Sequence, residues 1–296
     1  MQFYDNVSKL NHTFAKLYKM CIGLQIKSTM DKKAQYKWSL FFLDLRERGR
    51  CTFTFDEVRN NFDMSEQSIS QELYRYSVKK QIVRIRKNFY GILTPETAIG
   101  GILPPDLFVD ALMKSLKKPY YVALLSAAAL HGAAHQQPME YFIITQTPAP
   151  RNIRTKKLKL TFVSKKIWEQ SAIVQKKTRA GYLNVSSPEL TAFDLIIYAD
   201  KFGLNRVTTV LQELVEEMKS SALKKIVKGI EEFPVIQRLG YILDRILNEK
   251  KLAEVLFDAI IDKKIKPTKL SVKKKKQDNF DDKWKIIINT EIEPDL

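Results

Sequence analysis

Cysteine is scarce in this sequence, and the two residues present, Cys21 and Cys51, cannot build a disulfide framework or a cysteine-rich zinc site. Long apolar runs are also missing, since no stretch reaches the roughly 18 uninterrupted apolar residues of a membrane-spanning helix. The opening residues, MQFYDNVSKLNHTFAK, lack the apolar core of a secretory signal. We therefore expect a reduced, cytoplasmic protein with no membrane partner.

Acidic residues are outnumbered, which gives a formal net charge of +17 and an isoelectric point near 9.6. This balance favours a polyanionic partner, most commonly nucleic acid and less commonly a membrane surface. A hydrophobic content of 45% is typical of a globular protein, and 296 residues suffice for about two domains.

The first 95 residues divide into an extension and a compact helical unit. Residues 1–37 carry apolar side chains at helical spacing, for example Leu10, Phe14 and Leu17, and predict one amphipathic helix. From residue 38 to 95 the pattern predicts a helix that ends at Gly49, a short helix, a third helix and a hairpin. For the short helix, Thr54 with a glutamate three residues later predicts a capping box.

This order is that of a winged helix-turn-helix, and the phase of the third helix supports a DNA-binding role. Ile69, Leu73 and Tyr76 form the predicted buried stripe. The outward face then carries side chains suited to base edges and phosphates, with more on the hairpin. The candidate DNA-binding residues are Gln67, Ser68, Gln71, Tyr74, Arg75, Arg84, Arg86, Lys87 and Asn88. The alternative is a small helical domain that docks on protein with a solvated polar face.

A glycine- and proline-rich segment, TPETAIGGILPPD, predicts the domain boundary. Beyond it, from residue 96 to 296, the sequence predicts helices over LFVDALMKSLKK and YYVALLSAAALHGAA, short antiparallel strands, more helices and a closing strand in KWKIIINTEIEPDL. The fold class is therefore α+β, with an N-terminal winged helix-turn-helix and a mixed α/β C-terminal domain of short antiparallel strands and several helices.

Candidates for catalysis are weak. His131 and His135 stand four residues apart, but no glutamate lies between them as in an HExxH motif, and Gly132 interrupts the helix. Glu189 and Asp194 suggest a Mg²⁺-dependent nuclease, although a spacing of five residues turns the two acids in different directions on a helix. We expect no enzyme, no catalytic residue, no metal site and no cofactor.

A strongly basic stretch lies in the predicted strands between residues 151 and 179. It would contact either DNA or an acidic partner, or else it is the solvated side of a sheet. Its cationic residues are Arg151, Arg154, Lys156, Lys157, Lys159, Lys165, Lys166, Lys176, Lys177 and Arg179.

Several motifs are similar to those of the AbiEi-type antitoxins, the transcriptional-regulator half of type IV, abortive-infection toxin–antitoxin systems. The motifs are PYYVALLSAAALHGAAHQQP, EYFIIT, GYLNVSSPELTAFDLI, QRLGYILDRI and the closing WKIIINTEIEPDL. The resemblance runs from about Trp38 to the C-terminus.

The resemblance implies an antitoxin of phage defence whose winged helix binds the promoter of its own operon and represses it. We expect the promoter DNA to carry paired half-sites. The resemblance also implies a C-terminal domain that counteracts a toxin of nucleotidyltransferase fold and need not form a stable complex with it. Two other functions remain open: a Mg²⁺-dependent nuclease or nucleotide-transfer enzyme delivered by a winged helix, and a ligand-sensing transcriptional regulator.

Overall fold

A computed structural model describes residues 36–133 and 140–293 of the chain. The fold class is mixed α+β, as the sequence predicted. The predicted amphipathic helix in the N-terminal extension lies outside the described residues, apart from residues 36 and 37. Among the described residues, no helix combines the length and the apolar character needed to cross a bilayer.

The first unit contains three helices and a three-stranded antiparallel sheet. Gly49, with a φ of 69°, follows the first helix as predicted, and both parts of the Thr54–Glu57 capping box are present. The sheet order is β1-β3-β2, so the hairpin strand β3 lies in the middle. The elements are α1 (residues 36–47), β1 (Thr52–Thr54), α2 (Phe55–Asn61), α3 (Glu66–Val78), β2 (Ile82–Arg86) and β3 (Phe89–Ile92).

Strand β3 is buried on both faces, and each face belongs to a different hydrophobic core. Tyr90 and Ile92 pack with Trp38 and the helices of the first unit. Phe89 on the opposite face joins a core that continues into the following unit. Because successive side chains of a strand point to opposite sides, one hairpin strand joins the two units.

The segment predicted as a domain boundary contains ordered structure. Pro95–Gly100 form the short helix α4, and Pro105–Leu107 form one turn of 3₁₀ helix ahead of α5 (Val109–Ser115). Leu103 between them is 2% exposed and packs in the same core as Phe89. A proline near the helix start and Gly101 at a φ of 64° after its end explain why this glycine- and proline-rich segment forms a helix.

The second unit is built on a six-stranded sheet of order β6-β7-β5-β4-β9-β8. The sequence predicted antiparallel strands, but β5 runs parallel to β7 and β4 runs parallel to β9, so the sheet is mixed. The strands are β4 (Tyr120–Val122), β5 (Tyr141–Thr145), β6 (Ile153–Arg154), β7 (Lys159–Ser164), β8 (Ile173–Thr178) and β9 (Gly181–Ser186).

The segment YYVALLSAAALHGAA was predicted to be helical throughout, and this prediction was wrong at its start. Its first three residues form β4, and the helix α6 covers only Leu124–Leu130. Strand β4 occupies the middle of the sheet and is buried along its whole length. A strand buried on both faces is apolar throughout, so its periodicity does not distinguish it from a buried helix.

Helices pack against the six-stranded sheet and enclose with it the largest hydrophobic core of the described residues. Ser187 caps α7, and Pro188 occupies its first turn. Within the described part of the predicted closing strand, residues 283–293, only Ile286–Ile287 form a strand (β12), which pairs with β10 (Thr268–Lys269) and β11 (Phe280–Asp281). The helices are α7 (Pro188–Ile197), α8 (Ala199–Phe202), α9 (Leu204–Leu214), α10 (Ser220–Val227), α11 (Phe233–Tyr241), a π-helical turn (Ile242–Ile246) and α12 (Lys250–Asp258).

Candidate nucleic-acid interface

Helix α3 is oriented by a cap at its start and an apolar stripe along its length. Ser65 is the N-cap, and its side chain accepts a hydrogen bond from the Ser68 backbone N–H. Ile69, Leu73 and Tyr76 are its buried residues, which confirms the predicted phase. The opposite side of the helix therefore faces solvent.

The predicted DNA-binding residues on this outward face differ in whether their side chains are exposed and free of hydrogen bonds to the protein. Gln67, Gln71, Tyr74 and Arg75 are exposed, with Tyr74 71% exposed. Ser68 is half-buried, and its Oγ lies 2.8 Å from the Oγ of the capping serine. The Arg75 guanidinium donates to a Glu72 carboxylate oxygen on the same helix. Gln67 and Gln71 are therefore the polar groups of this face best placed to contact base edges.

A groove of about 630 Å³ separates α3 from the hairpin. Tyr74, Arg84, Lys87 and Asn88 line it, so the structure brings part of the predicted set together around one cavity. The lining residues that were not predicted as site residues include the polar residues Arg59, Ser70 and Ser77. Ser70 and Ser77 stand seven residues apart on one side of α3, a spacing that marks a shared face but does not reveal that the hairpin lies beside it.

The cationic residues of the hairpin differ in their exposure to solvent. Arg84, Lys87 and Asn88 are exposed, and Asn88 turns the hairpin with a φ of 61°, a left-handed conformation that asparagine tolerates better than most residues. Arg86 is half-buried instead, and its Nη1 is buried with no hydrogen-bond partner among the described residues. Arg86 is therefore less available for a phosphate than Arg84, although the two would share a face in a regular strand, because the register of β2 against β3 shifts between them.

The groove has mixed charge at one end and net positive charge at the other. At the α2 end, Arg59 forms ion pairs of 3.0 Å with Asp56 and 3.3 Å with Glu66. At the hairpin end, Arg84 and Lys87 form no ion pair with any described residue. Such exposed ion pairs contribute little to stability, so a phosphate can replace a carboxylate at Arg59 with little loss.

The basic residues between positions 151 and 179 do not form one continuous surface. Strands β7 and β8, which carry Lys159 and Lys176, are separated by three other strands, or about 19 Å across the sheet. Spacing along the chain cannot reveal this separation because the intervening strands come from other parts of the sequence.

Four of these lysines are held by the protein itself. The Lys157 ammonium donates to the Gly100 carbonyl at 2.7 Å, and the Lys176 ammonium donates to a backbone carbonyl of α6. Lys159 pairs with Glu140 and Lys165 with Asp194. No side-chain hydrogen bond or ion pair within the described part of the chain holds the remaining residues, Arg151, Arg154, Lys156, Lys166, Lys177 and Arg179.

His131 ends helix α6 and contacts the neighbouring strand. Its Nε2 lies 2.7 Å from the Ser186 carbonyl oxygen and therefore donates to it. Burial lowers the pKa of His131 from its ordinary value. His135 lies outside the described residues, so the two histidines are not seen as a pair.

The carboxylates that suggested a nuclease have separate partners. Asp194 is fully buried, accepts a hydrogen bond from the Tyr121 hydroxyl at 3.0 Å and forms an ion pair of 2.8 Å with Lys165. Burial raises the pKa of Asp194 despite that cation. Glu189 accepts from the Lys219 backbone N–H at 2.8 Å. Among residues 36–133 and 140–293, no group of three histidine, cysteine or acidic side chains is arranged to hold a metal ion.

Comparison with known proteins identifies the second unit. Residues 121–245 match the family model of the AbiEi antitoxin C-terminal domain. No curated protein matches the chain. A crystal structure of the RV2827C protein from Mycobacterium tuberculosis resembles this fold with a TM-score of 0.60 over 85% of this chain and 90% of that chain, at 14% sequence identity. At that identity the likeness concerns the fold alone.

The matched residues run from strand β4 to the π-helical turn after α11, and so include most of the six-stranded sheet and its helical cover. They contain most of the sequence motifs on which the resemblance rested, from YVALLSAAALHG to QRLGYILDR, whereas the closing WKIIINTEIEPDL lies outside the match. The resemblance to the AbiEi-type antitoxins is therefore confirmed for residues 121–245, which match an AbiEi antitoxin C-terminal domain.

Proposed function

We propose that this protein is the antitoxin of a type IV toxin–antitoxin system and represses its own promoter in the cytoplasm. In this proposal residues 38–95 are a winged helix-turn-helix that binds DNA. Residues 96–296 counteract a toxin of nucleotidyltransferase fold, without the need for a stable complex. The AbiEi domain supports the antitoxin role.

The observation that carries the DNA-binding proposal is the groove between α3 and the hairpin. It combines a solvent-facing helix, free cations at the hairpin end and hydroxyl groups along one wall. A helix presented in this way fits the major groove of B-DNA, where glutamine side chains form paired hydrogen bonds with adenine. We assign phosphate contact to Arg84 and Lys87, which line the groove, and base contact to Gln67 and Gln71, which are exposed on α3 outside the groove lining.

The cations of the second unit that have no partner of their own are candidates for a second contact. Lys156 lies on the turn between β6 and β7, whereas Lys177 lies at the opposite edge of the sheet. One DNA duplex or one toxin surface would therefore engage one edge at a time. We propose that the edge nearer the hairpin, with Lys156, extends the DNA contact, and that the β8 edge is open to the toxin.

The direct test is fluorescence anisotropy with labelled DNA from upstream of the gene. The wild type should bind it in preference to a scrambled duplex. With about 6 to 10 phosphate contacts, the affinity should fall by about 10³ to 10⁵ between 50 and 200 mM salt. A Gln67→Ala/Gln71→Ala variant should lose the preference, whereas a Gln175→Ala/Gln212→Ala control, exposed in β8 and α9, should keep it.

A second variant, Arg84→Ala, tests the phosphate contact and should give a different result from the glutamine variant. Loss of one phosphate contact should weaken binding to all sequences alike and lower the slope of log affinity against log salt by about 1. A DNA affinity that changes neither with salt nor with the glutamine substitutions would refute the proposed DNA binding.

Growth rescue tests the proposed antitoxin role. The wild-type protein should restore growth to cells that express the neighbouring toxin gene, and toxicity unchanged by coexpression would refute this role.

A further inference from the structure

A small apolar cleft lies where the hairpin meets the second unit. Its volume is about 310 Å³, and its walls come from strand β2, from residues 101–103 after α4 and from the turn between β6 and β7. The apolar side chains that line it are Val83, Ile85, Ile102, Leu103 and Leu158. A cleft of this size is at the small end of ligand sites in proteins, so it suits a single short chain rather than a helix or a peptide strand.

The position of Gly91 explains how Leu103 packs closely against Val83 and Ile85 at the floor of the cleft. A Cβ on Gly91 would lie 2.9 Å from Leu103 Cδ2, 3.2 Å from Ile85 Cδ1 and 3.3 Å from Val83 Cγ1. The missing side chain lets Leu103 approach the sheet between these two strand residues. The cleft is therefore formed by close packing of the two units and has a defined apolar floor.

The rim of the cleft is cationic. Arg84 and Lys156 line it and form no ion pair with any described residue, while Lys157 is fixed by its hydrogen bond to the Gly100 carbonyl. Among the described residues that line the cleft, none is acidic. An apolar floor beneath unpaired cations complements an anion with a short hydrocarbon tail, and it disfavours a cation with the same tail.

We propose that this cleft binds a medium-chain carboxylate, with its tail on the apolar floor and its carboxylate at Arg84 and Lys156. Arg84 also lines the groove beside α3, so the same residue, on the edge strand β2, borders both cavities. A carboxylate at the cleft draws Arg84 away from a DNA phosphate, and ligand binding weakens DNA binding. This regulatory step rests on the proposed DNA-binding function, whereas the ligand site itself does not.

Isothermal titration calorimetry of the full chain with hexanoate, octanoate and decanoate tests the site without DNA. Affinity should rise by about fourfold for each added methylene until the cleft is filled. Decylamine should bind at least tenfold more weakly than decanoate because its charge is opposite. All ligands are kept below their micelle concentrations.

Two variants locate the site. Lys156→Glu reverses one charge of the rim and should weaken decanoate binding at least tenfold, whereas Lys166→Glu, an equally exposed lysine outside the cleft, should leave it unchanged. Ile102→Trp fills the cleft and should abolish binding. If Ile102→Trp does not fold, the matched lysine pair, on the surface, still decides the location.

DNA binding in the presence of decanoate tests the coupling. Saturating decanoate should weaken wild-type affinity about fivefold at physiological salt, the electrostatic contribution of about one phosphate contact. Absence of binding heat, or equal binding to wild type and Lys156→Glu, would overturn the site. Decanoate that binds without changing DNA affinity would overturn the coupling, and failure of DNA binding in the absence of decanoate would instead refute the proposed function.

Discussion

Gly240→Ala is the substitution whose cost the structure defines most closely. Gly240 lies in α11 against the indole of Trp284, which is fully buried. A Cβ at this position would lie 2.0 Å from Trp284 Cζ3 and 2.3 Å from Cη2. The ring would have to retreat by about 1.4 Å to reach an ordinary contact of 3.4 Å.

That displacement also affects a polar contact. Trp284 Nε1 donates to Asp244 Oδ2 at 2.9 Å, and a retreat of this size would take the pair beyond hydrogen-bonding distance. Loss of a hydrogen bond to a charged group costs about 1.5–3 kcal/mol, and overpacking costs about 1–3 kcal/mol. Alanine regains about 1 kcal/mol through its higher helix propensity. The free energy of unfolding should therefore fall by about 2–5 kcal/mol.

Urea unfolding followed by far-UV circular dichroism measures this loss. Gly100→Ala is the matched control because its added Cβ meets nothing within 4 Å, and Gly100 also lies in a helix. The control should remain within about 1 kcal/mol of the wild type. Equal unfolding midpoints for the two variants would refute the argument that Trp284 cannot move without loss.

Three further changes test other parts of the molecule. Lys165→Met should lower the free energy of unfolding by about 3 kcal/mol near neutral pH, since Asp194 loses its buried counterion. Burial raises the pKa of Asp194, so this deficit should shrink in urea titrations as the pH falls and the carboxyl becomes neutral; a pH-independent deficit would contradict the argument. Thr54→Ala should cost about 1 kcal/mol in the same assay because it removes a capping box, and an unchanged midpoint would count against the cap. Burial lowers the pKa of His131 below 6.5, so the folded state binds this proton more weakly than the unfolded chain, and stability present above that pH is lost as the pH falls. His131→Gln should therefore flatten the decline in thermal melts between about pH 7 and 5, and a decline as steep as that of the wild type would contradict it.

Local features of the fold were predictable because local interactions determine them. The capping box at Thr54, the Ser65 cap and the Ser187–Pro188 helix start each depend on residues within one turn. The buried stripe of α3 followed from helical spacing alone. These features located the outward face of the helix that carries the DNA-binding proposal.

Features that depend on distant pairing were not predictable. The strand order of the six-stranded sheet decides that the basic residues of β7 and β8 lie far apart, and nothing within residues 151–179 encodes that order. The lining of the groove by Ser70 and Ser77 depends on where the hairpin lies relative to α3. The start of β4 was misassigned because a fully buried strand has no alternating pattern.

The double burial of β3 has a consequence for how the two units work together. Units joined by a flexible linker and a polar interface are expected to move independently. Here Phe89 and Leu103 share a core with α5 and the six-stranded sheet, while Tyr90 in the same strand belongs to the core of α1 and α3. Separating the units would expose that shared core to water, so the hairpin cannot leave the second unit without a large loss of buried apolar surface. Arg84 lies on β2, which pairs with β3, so its position depends on how β3 packs against the second unit. A substitution that alters the packing of β3 against the second unit would therefore shift the hairpin and, with it, the proposed DNA contact of Arg84.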